Sequence, residues 1–360
     1  MEQGIKRVAV KIGSNVLTRP DGSLDLTRMS ALVDQIAALY KADIEVILIS
    51  SGAVASGRSE LCPNKKLDSV DQRQLFSAIG QTKLLNRYYE LFREYGILVG
   101  QVLTTKESFS TRRHYLNQKR CMSVMLDNGV LPIVNENDTI SVTELMFTDN
   151  DELSGLIASM MNVQKLIILS NIDGIYDGDP SDPRSSIIRQ IGQGTDLSEY
   201  IQVSRSNFGR GGMLTKTAIA RKVAAEGITV MIGNGKRDNI LQDLIFRASD
   251  TPCTIFTPSI TPVSSIKKWI AHSDGFAKGE IHIDHCATEL LNTSKAVSVL
   301  PIGVTLVEGE FEKDDIVRLV DYTGRQMGVG KANCSSQQAR DAAGNRGKKV
   351  IVHYDYLYIE

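Results

Sequence analysis

The feature that most limits the folds open to this chain is a series of short apolar runs, each closed by small or polar residues and followed by a helical period. Val8–Ile12, Val46–Ile49, Leu131–Val134, Leu166–Leu169 and Val230–Ile232 are such runs, rich in β-branched residues. Their apolar positions are successive rather than alternate, so both faces of the sheet they form need cover. That is the condition of a parallel sheet between layers of helices. Between the runs the period becomes helical: Leu32, Ile36 and Leu39 share one face of Leu26–Tyr40. Further helices are expected near residues 70–95, 116–128, 151–161 and 213–226, and a further strand at 97–103. Asp151 and Glu152 open one of these helices, where acidic residues suit the dipole.

The pattern changes after Pro252. Thr257-Pro258 through Thr261-Pro262 reads as a connector, and helix signals largely vanish from Phe276 onward. Short strands broken by Gly303, Gly309, Gly324, Gly328 and Gly330 suggest a compact β-rich module. The division expected is therefore an α/β catalytic domain over 1–256, a linker over 257–275 and a small β-rich domain over 276–360. For 360 residues, two domains is the ordinary expectation.

Composition excludes several classes. With 42% hydrophobic and 23% charged residues, wholesale disorder is ruled out. Forty-one basic residues against 42 acidic ones leave no electrostatic reason for nucleic acid as the main partner. The apolar runs fall short of the ~18 residues of a membrane span, and Met1–Arg7 lacks an apolar signal core. Five scattered cysteines without a Cys-x-x-Cys pair point to a reduced, cytoplasmic protein.

Several motifs carry chemistry. Gly52–Ser59 nearly matches a phosphate loop, but Arg58 stands where that loop needs lysine, so a small-residue turn lining a pocket is the better reading. Lys11 interrupts a buried strand beside Gly13-Ser14. It is either an edge lysine facing solvent or a charge with an anionic partner, a polyphosphate among them. Asn135-Glu136-Asn137-Asp138 follows one strand, and Thr148-Asp149-Asn150-Asp151 opens a helix. Each alone is turn and cap chemistry. Together they could grip a small ligand through its ammonium and carboxylate groups.

Gly209-Arg210-Gly211-Gly212-Met213-Leu214-Thr215-Lys216 is a glycine turn feeding a helix, which favours an anion. Ser170-Asn171-Ile172-Asp173-Gly174 could hold a nucleotide or form an ordinary turn. His282-x-Asp284-His285-Cys286 looks metal-like, but its two histidines would fall on opposite faces of a strand, so no protein-held metal is expected. Five histidines and no G-x-S-x-G leave a hydrolase triad little support.

Val-Lys11-Ile-Gly13-Ser14, Ser50-Ser51-Gly52-Ala53, Asn135-Glu136-Asn137-Asp138, Asp149-Asn150-Asp151 and Gly211-Gly212-Met213-x-Thr215-Lys216 occur in that order. In this the chain resembles the amino-acid kinase family over about residues 6–256, and the segment 276–358 resembles a PUA domain. The resemblance implies a mainly parallel sheet sandwiched between helices. It implies transfer of the γ-phosphoryl group of ATP to the side-chain carboxylate of L-glutamate, the opening step of proline biosynthesis. Lys11 and Lys216 would flank the phosphoryl group, with Asp151 positioning the lysines. Ser51, Gly52, Asn135, Asp138 and Asn150 would hold glutamate. Lys11, Ser170, Asn171 and Arg210, Gly211, Gly212, Met213, Leu214, Thr215 and Lys216 would face ATP. Mg²⁺ would come with ATP, bridging its phosphates and keeping several waters. A homo-oligomer, feedback inhibition by proline and channelling to glutamyl phosphate reductase are also implied. Ser170-Asn171 stands where the family often has Thr-Asp, and Arg210 where a small residue is common.

Two rivals follow from the same residues. One is a kinase of the same fold acting on aspartate, acetylglutamate, carbamate or a nucleoside monophosphate. The two acidic-amide clusters favour a free amino acid over these. The other is an RNA-binding role through the PUA-like segment, against which stand its ten basic and twelve acidic residues and the lack of an aromatic-basic stripe.

Overall fold

The computed structural model describes residues 4–61, 67–141, 147, 149–195, 213–261, 264–293, 296–346 and 349–359. The chain divides into two compact units, Met1–Pro262 and Val263–Glu360. Among the described residues no helix is long and apolar enough to cross a membrane.

The first unit is built on an eight-stranded sheet. In chain order its strands are β1 (Arg7–Ile12), β2 (Glu45–Ser50), β3 (Leu98–Thr104), β4 (Val130–Glu136), β5 (Lys165–Ser170), β6 (Gln190–Ile191), β7 (Thr229–Asn234) and β8 (Cys253–Phe256). Their spatial order is β3-β4-β2-β1-β5-β7-β8-β6. All neighbouring pairs are parallel except β7 with β8. The expected mainly parallel sheet between helices is what the chain forms. Strand order reverses at β1, whose neighbours are β2 on one side and β5 on the other. Ligands of open parallel sheets bind beyond the strand carboxyl ends at such a reversal.

Side-chain alternation along β1 decides what Lys11 meets. Val8, Val10 and Ile12 join a core with Leu32, Ile36 and Leu39 of the helix Leu26–Lys41 and with Leu241 and Leu244 of the helix Ile240–Phe246. Lys11 is one residue out of phase with these, so it points to the opposite face. There the helix Asn150–Met161 packs on β1 and β5 and against the helix Met213–Ala225. Asn150–Met161 is buried over nearly its whole length, and Gly155 sets its distance from its neighbour. A Cβ added at Gly155 would lie 2.6 Å from an Ile219 side-chain carbon.

The phosphate-loop look-alike has a packing explanation. Gly52 has φ +109°, a left-handed conformation that starts the helix Ala53–Arg58. A Cβ at Gly57 would lie 1.8 Å from Phe76 O, and one at Gly80 would lie 1.8 Å from Ala53 O. The two glycines let Ala53–Arg58 lie backbone to backbone on the helix Ser69–Arg93.

The second unit holds a five-stranded sheet in the order β10-β9-β11-β12-β13, made of β9 (Gly279–Ile283), β10 (Val304–Gly309), β11 (Ile316–Val320), β12 (Gln326–Ala332) and β13 (Val352–Ile359). Ile281, Ile283, Val307, Phe311, Val317, Leu319 and Val352 lie in its core. Helices did not vanish after Phe276 as the sequence suggested. His285–Leu291 starts at Asp284, whose Oδ1 accepts the Ala287 amide hydrogen at 2.7 Å. Ser336–Ala342 starts at a capping box of Ser335 and Gln338. The stretch read as a linker is also shorter in effect, since Ser265–Ala271 is helical and packs on β12 and β13 of the second unit.

Candidate active site

Three of the expected residues meet in one buried ion triad. Lys11 Nζ lies 2.6 Å from Asp151 Oδ1, and Lys216 Nζ lies 2.9 Å from Asp151 Oδ2. The side chains of Lys11, Lys216 and Asp151 are 6%, 13% and 1% exposed. Each comes from a different element: Lys11 from the carboxyl end of β1, Asp151 from the first turn of Asn150–Met161, and Lys216 from the first turn of Met213–Ala225. Burial opposes ionisation of Asp151, but the two ammonium groups outweigh it and hold the carboxyl below its ordinary range. Two ammonium groups thus share one carboxylate, with Asp149 close enough for its charge to act on both lysines.

Asp149 caps the same helix, its Oδ1 accepting from the amides of Asp151 at 2.8 Å and Glu152 at 3.1 Å. Burial, and next the charge of Asp151, pushes its carboxyl above the ordinary range. Its other oxygen, Oδ2, is buried without a hydrogen bond among the described residues.

Beside the triad lies a cleft of about 230 Å³ at the carboxyl ends of β1, β2 and β4. Ser51, Gly52, Asn135, Asp138 and Asn150, all expected around the acceptor, line it. Asn150 Nδ2 donates to Ser51 Oγ at 2.8 Å and to Asn135 Oδ1 at 3.0 Å. Asn135 Nδ2 donates in turn to Gln81 Oε1 at 2.9 Å. One chain of hydrogen bonds thus ties the end of β2, the end of β4 and two helices into a single wall.

Asp138, expected to hold glutamate, is already paired with a cation. Arg73 reaches it from the helix Ser69–Arg93, with Nε 2.6 Å from Oδ1, and also contacts Glu136 Oε2 at 2.8 Å through Nη2. Glu136 in turn accepts from Ser141 Oγ at 2.7 Å and from the Phe147 amide at 2.9 Å. Burial, counteracted by these bonds, raises the Glu136 carboxyl above its ordinary range. Sequence reasoning missed Arg73 and Gln81. A signal existed, because Ser77, Gly80, Gln81, Leu84 and Tyr88 form the buried stripe of that helix, and Arg73 continues it by one turn. An arginine on the inward face of a helix needs an anion inside.

On the opposite side of β1, Ser170 ends β5 and is buried, and Asn171 lies beside it. Met213, Leu214, Thr215 and Lys216 form the first helical turn of Met213–Ala225. Arg210, Gly211 and Gly212 lie outside the described residues, as do Gly209 and Thr148. Two further residues gather here: Arg237 grips Asp173 with Nε–Oδ1 at 2.6 Å and Nη2–Oδ2 at 2.8 Å, and that bond holds Asp173 below the ordinary carboxylate range.

The Amino acid kinase family model matches residues 6–234 and the PUA domain model matches residues 279–354. The chain is 74% identical over 360 residues to the glutamate 5-kinase of Bacteroides thetaiotaomicron, with all of both chains covered. It is 44% identical over 356 residues to the glutamate 5-kinase of Chlorobaculum tepidum, covering 98% of this chain and 97% of that protein. The corresponding protein of Pelobacter propionicus is 37% identical over 356 residues, with 98% and 94% covered. The chain belongs to the amino acid kinase family, among the glutamate 5-kinases that carry a C-terminal PUA domain.

Proposed function

We propose that the chain transfers the γ-phosphoryl group of ATP to the side-chain carboxylate of L-glutamate, and that Lys11, Lys216 and Asp151 do the electrostatic work. The observation that carries this reading is the triad. It sets two ammonium groups on one buried carboxylate, at the first turns of Asn150–Met161 and Met213–Ala225 and beside a cleft walled by amides and carboxylates. A glutamate carboxylate oxygen attacks the γ-phosphorus, and the β–γ bridging oxygen leaves with ADP. The acceptor is already an anion, so no general base is required. The barrier is repulsion between anions and the charge spread over the moving phosphoryl group, which placed cations relieve. Lys11 and Lys216 would contact that group, and Asp151 would hold both lysines at a fixed spacing.

Ser51, Gly52, Asn135 and Asn150 would hold glutamate. Asp138 and Arg73 together would present both charge signs to its ammonium and carboxylate. Ser170, Asn171 and the turn through residues 210–216 would face ATP. Mg²⁺ would arrive on the nucleotide. A donor set of lysines at the phosphates, with no ready cage of carboxylates among the described residues of the cleft, fits a metal held by phosphate oxygens and water. Homo-oligomerisation, inhibition by proline and hand-over of glutamyl phosphate to a reductase go with this reading.

The test is a substrate screen with Mg·ATP in which the acyl phosphate is trapped by hydroxylamine. L-Glutamate should give hydroxamate well above aspartate, acetylglutamate or a nucleoside monophosphate. A strong preference for one of the others would leave the fold family standing and remove glutamate from it. The acceptor wall can be tested separately. Asn150→Ala removes the donor to Ser51 and Asn135, so KM for glutamate should rise about tenfold. KM for ATP should stay nearly unchanged. If KM for ATP rose instead, Asn150 would belong to the nucleotide.

A further inference from the structure

Residues 263–360 carry a second chemical cluster that the phosphoryl-transfer reading does not use. In β9, Gly279, Ile281 and Ile283 are buried while Glu280 and His282 alternate to the other face. Antiparallel pairing with β10 sets Glu308 directly opposite Glu280, and parallel pairing with β11 sets Arg318 on its other side. His282 Nε2 lies 3.5 Å from Glu308 Oε2 and 3.9 Å from Glu280 Oε2. One ligand atom from each of the three residues falls within 4.8 Å of the others.

Two independent deficits mark this cluster. The first is His282 Nε2, which is out of contact with water and, among the described residues, has no hydrogen bond closer than the 3.5 Å approach of Glu308 Oε2; buried polar atoms are rarely left so. The second is charge. Two glutamates directly opposite each other on paired strands repel. Arg318, which reaches Glu280 Oε1 at 3.4 Å, is also held by Asp274 Oδ1 at 2.9 Å. Arg318 is thus shared by Glu280 and Asp274, while Glu308 faces the His282 ring at 3.5 Å.

A single divalent cation satisfies both deficits. We propose that Glu280, His282 and Glu308 form a binding site for one first-row divalent metal ion of the Zn²⁺ type, ligated by His282 Nε2 and one oxygen from each glutamate. A nitrogen with two carboxylate oxygens suits Zn²⁺, Fe²⁺ or Mn²⁺, whereas Mg²⁺ favours oxygen alone. The 3.5 and 3.9 Å separations need only a small closing movement to serve ligands at about 2.0–2.2 Å from the ion. Glu308 is exposed, so water can complete the coordination. Arg318 on the second oxygen of Glu280 would orient that ligand. The His-x-Asp-His sequence hid this arrangement, because Asp284 is a helix cap and His285 begins that helix. The ion's other two protein ligands come from the same face of β9 and from β10.

The experiment is a Zn²⁺ titration of the chelator-treated full-length protein against a chromophoric chelator, repeated with His282→Gln and Glu308→Gln. Exposed Cys121 and Cys286 contribute the same background to all three proteins. Wild type should bind one Zn²⁺ more than the His282→Gln protein, and Glu308→Gln should weaken that ion at least tenfold. Excess Mg²⁺ should not displace it, and the melting temperature of wild type should rise with Zn²⁺ more than that of either variant. Glu308 is exposed, so its substitution keeps the test decisive if His282→Gln disturbs the strand. Equal stoichiometry and affinity in all three proteins would overturn the site.

Discussion

Replacing Lys216 by alanine should lower kcat about 10²–10³-fold while leaving KM for glutamate near its wild-type value. The size follows from removing one preorganised cation from a site where negative charge redistributes during transfer. The selectivity follows from place. Lys216 opens the helix Met213–Ala225 and reaches Asp151 at 2.9 Å, whereas the wall proposed for the acceptor is built from Ser51, Asn135 and Asn150. Uniform binding of glutamate is therefore untouched, and the loss appears in the chemical step. Steady-state kinetics with each substrate varied, on protein whose circular dichroism matches wild type, decide the matter. A variant that kept its kcat and lost only affinity for glutamate would place Lys216 on the acceptor side.

Asp151→Asn should be the most damaging single substitution in the first unit, because it strikes stability and turnover together. It leaves Lys11 and Lys216 buried beside a neutral amide, and removing one partner of a buried ion cluster costs about 3–5 kcal/mol. The pH dependence has a definite sign. The Asp151 carboxyl is held below its ordinary value of 3.8, so its contribution is fully present above that value and is lost as pH falls through the lower native one. Urea unfolding followed by far-ultraviolet circular dichroism should show a wide gap between wild type and Asp151→Asn at pH 7. The gap should narrow as the pH is taken below about 3.8. A gap that stayed constant across this range would mean that the carboxylate charge is not what holds the lysines. With the lysines no longer fixed, kcat should fall at least as far as in Lys216→Ala.

The architecture of the first unit was written in short-range pattern. Five of the β-strands announce themselves as apolar, β-branched runs, because burial on both faces demands apolar side chains at successive positions. Lys11 stood out for the same reason, as a charge inside such a run. The ordered motifs pointed to the family and to which residues would gather, since their chemistry is carried by residues adjacent in the chain.

Who partners whom was decided only in three dimensions. Lys11 could have faced solvent; strand alternation and the packing of Asn150–Met161 on β1 turned it toward Asp151. Asp138 was expected to hold glutamate with no partner of its own in view, because nothing near it in sequence announces Arg73, which arrives from a helix 65 residues earlier. The glycines of Gly52–Ser59 resembled a phosphate loop, yet one supplies a left-handed turn and the other a close helix crossing with Gly80. In the second unit, Asp284 and the Ser335–Gln338 box carried local helix signals, but those helices span only seven residues each, too short to show a clear period. The strand-and-helix alternation and the inventory of charged groups were legible along the chain, because both are set by the polarity of neighbouring residues. The family resemblance implied that Asp151 positions the two lysines, but the contacts themselves, and those of Arg73 with two carboxylates and of His282 with Glu280 and Glu308, arise only on folding. The energy of a buried charge depends on what packing brings within a few ångströms, whatever the separation along the chain.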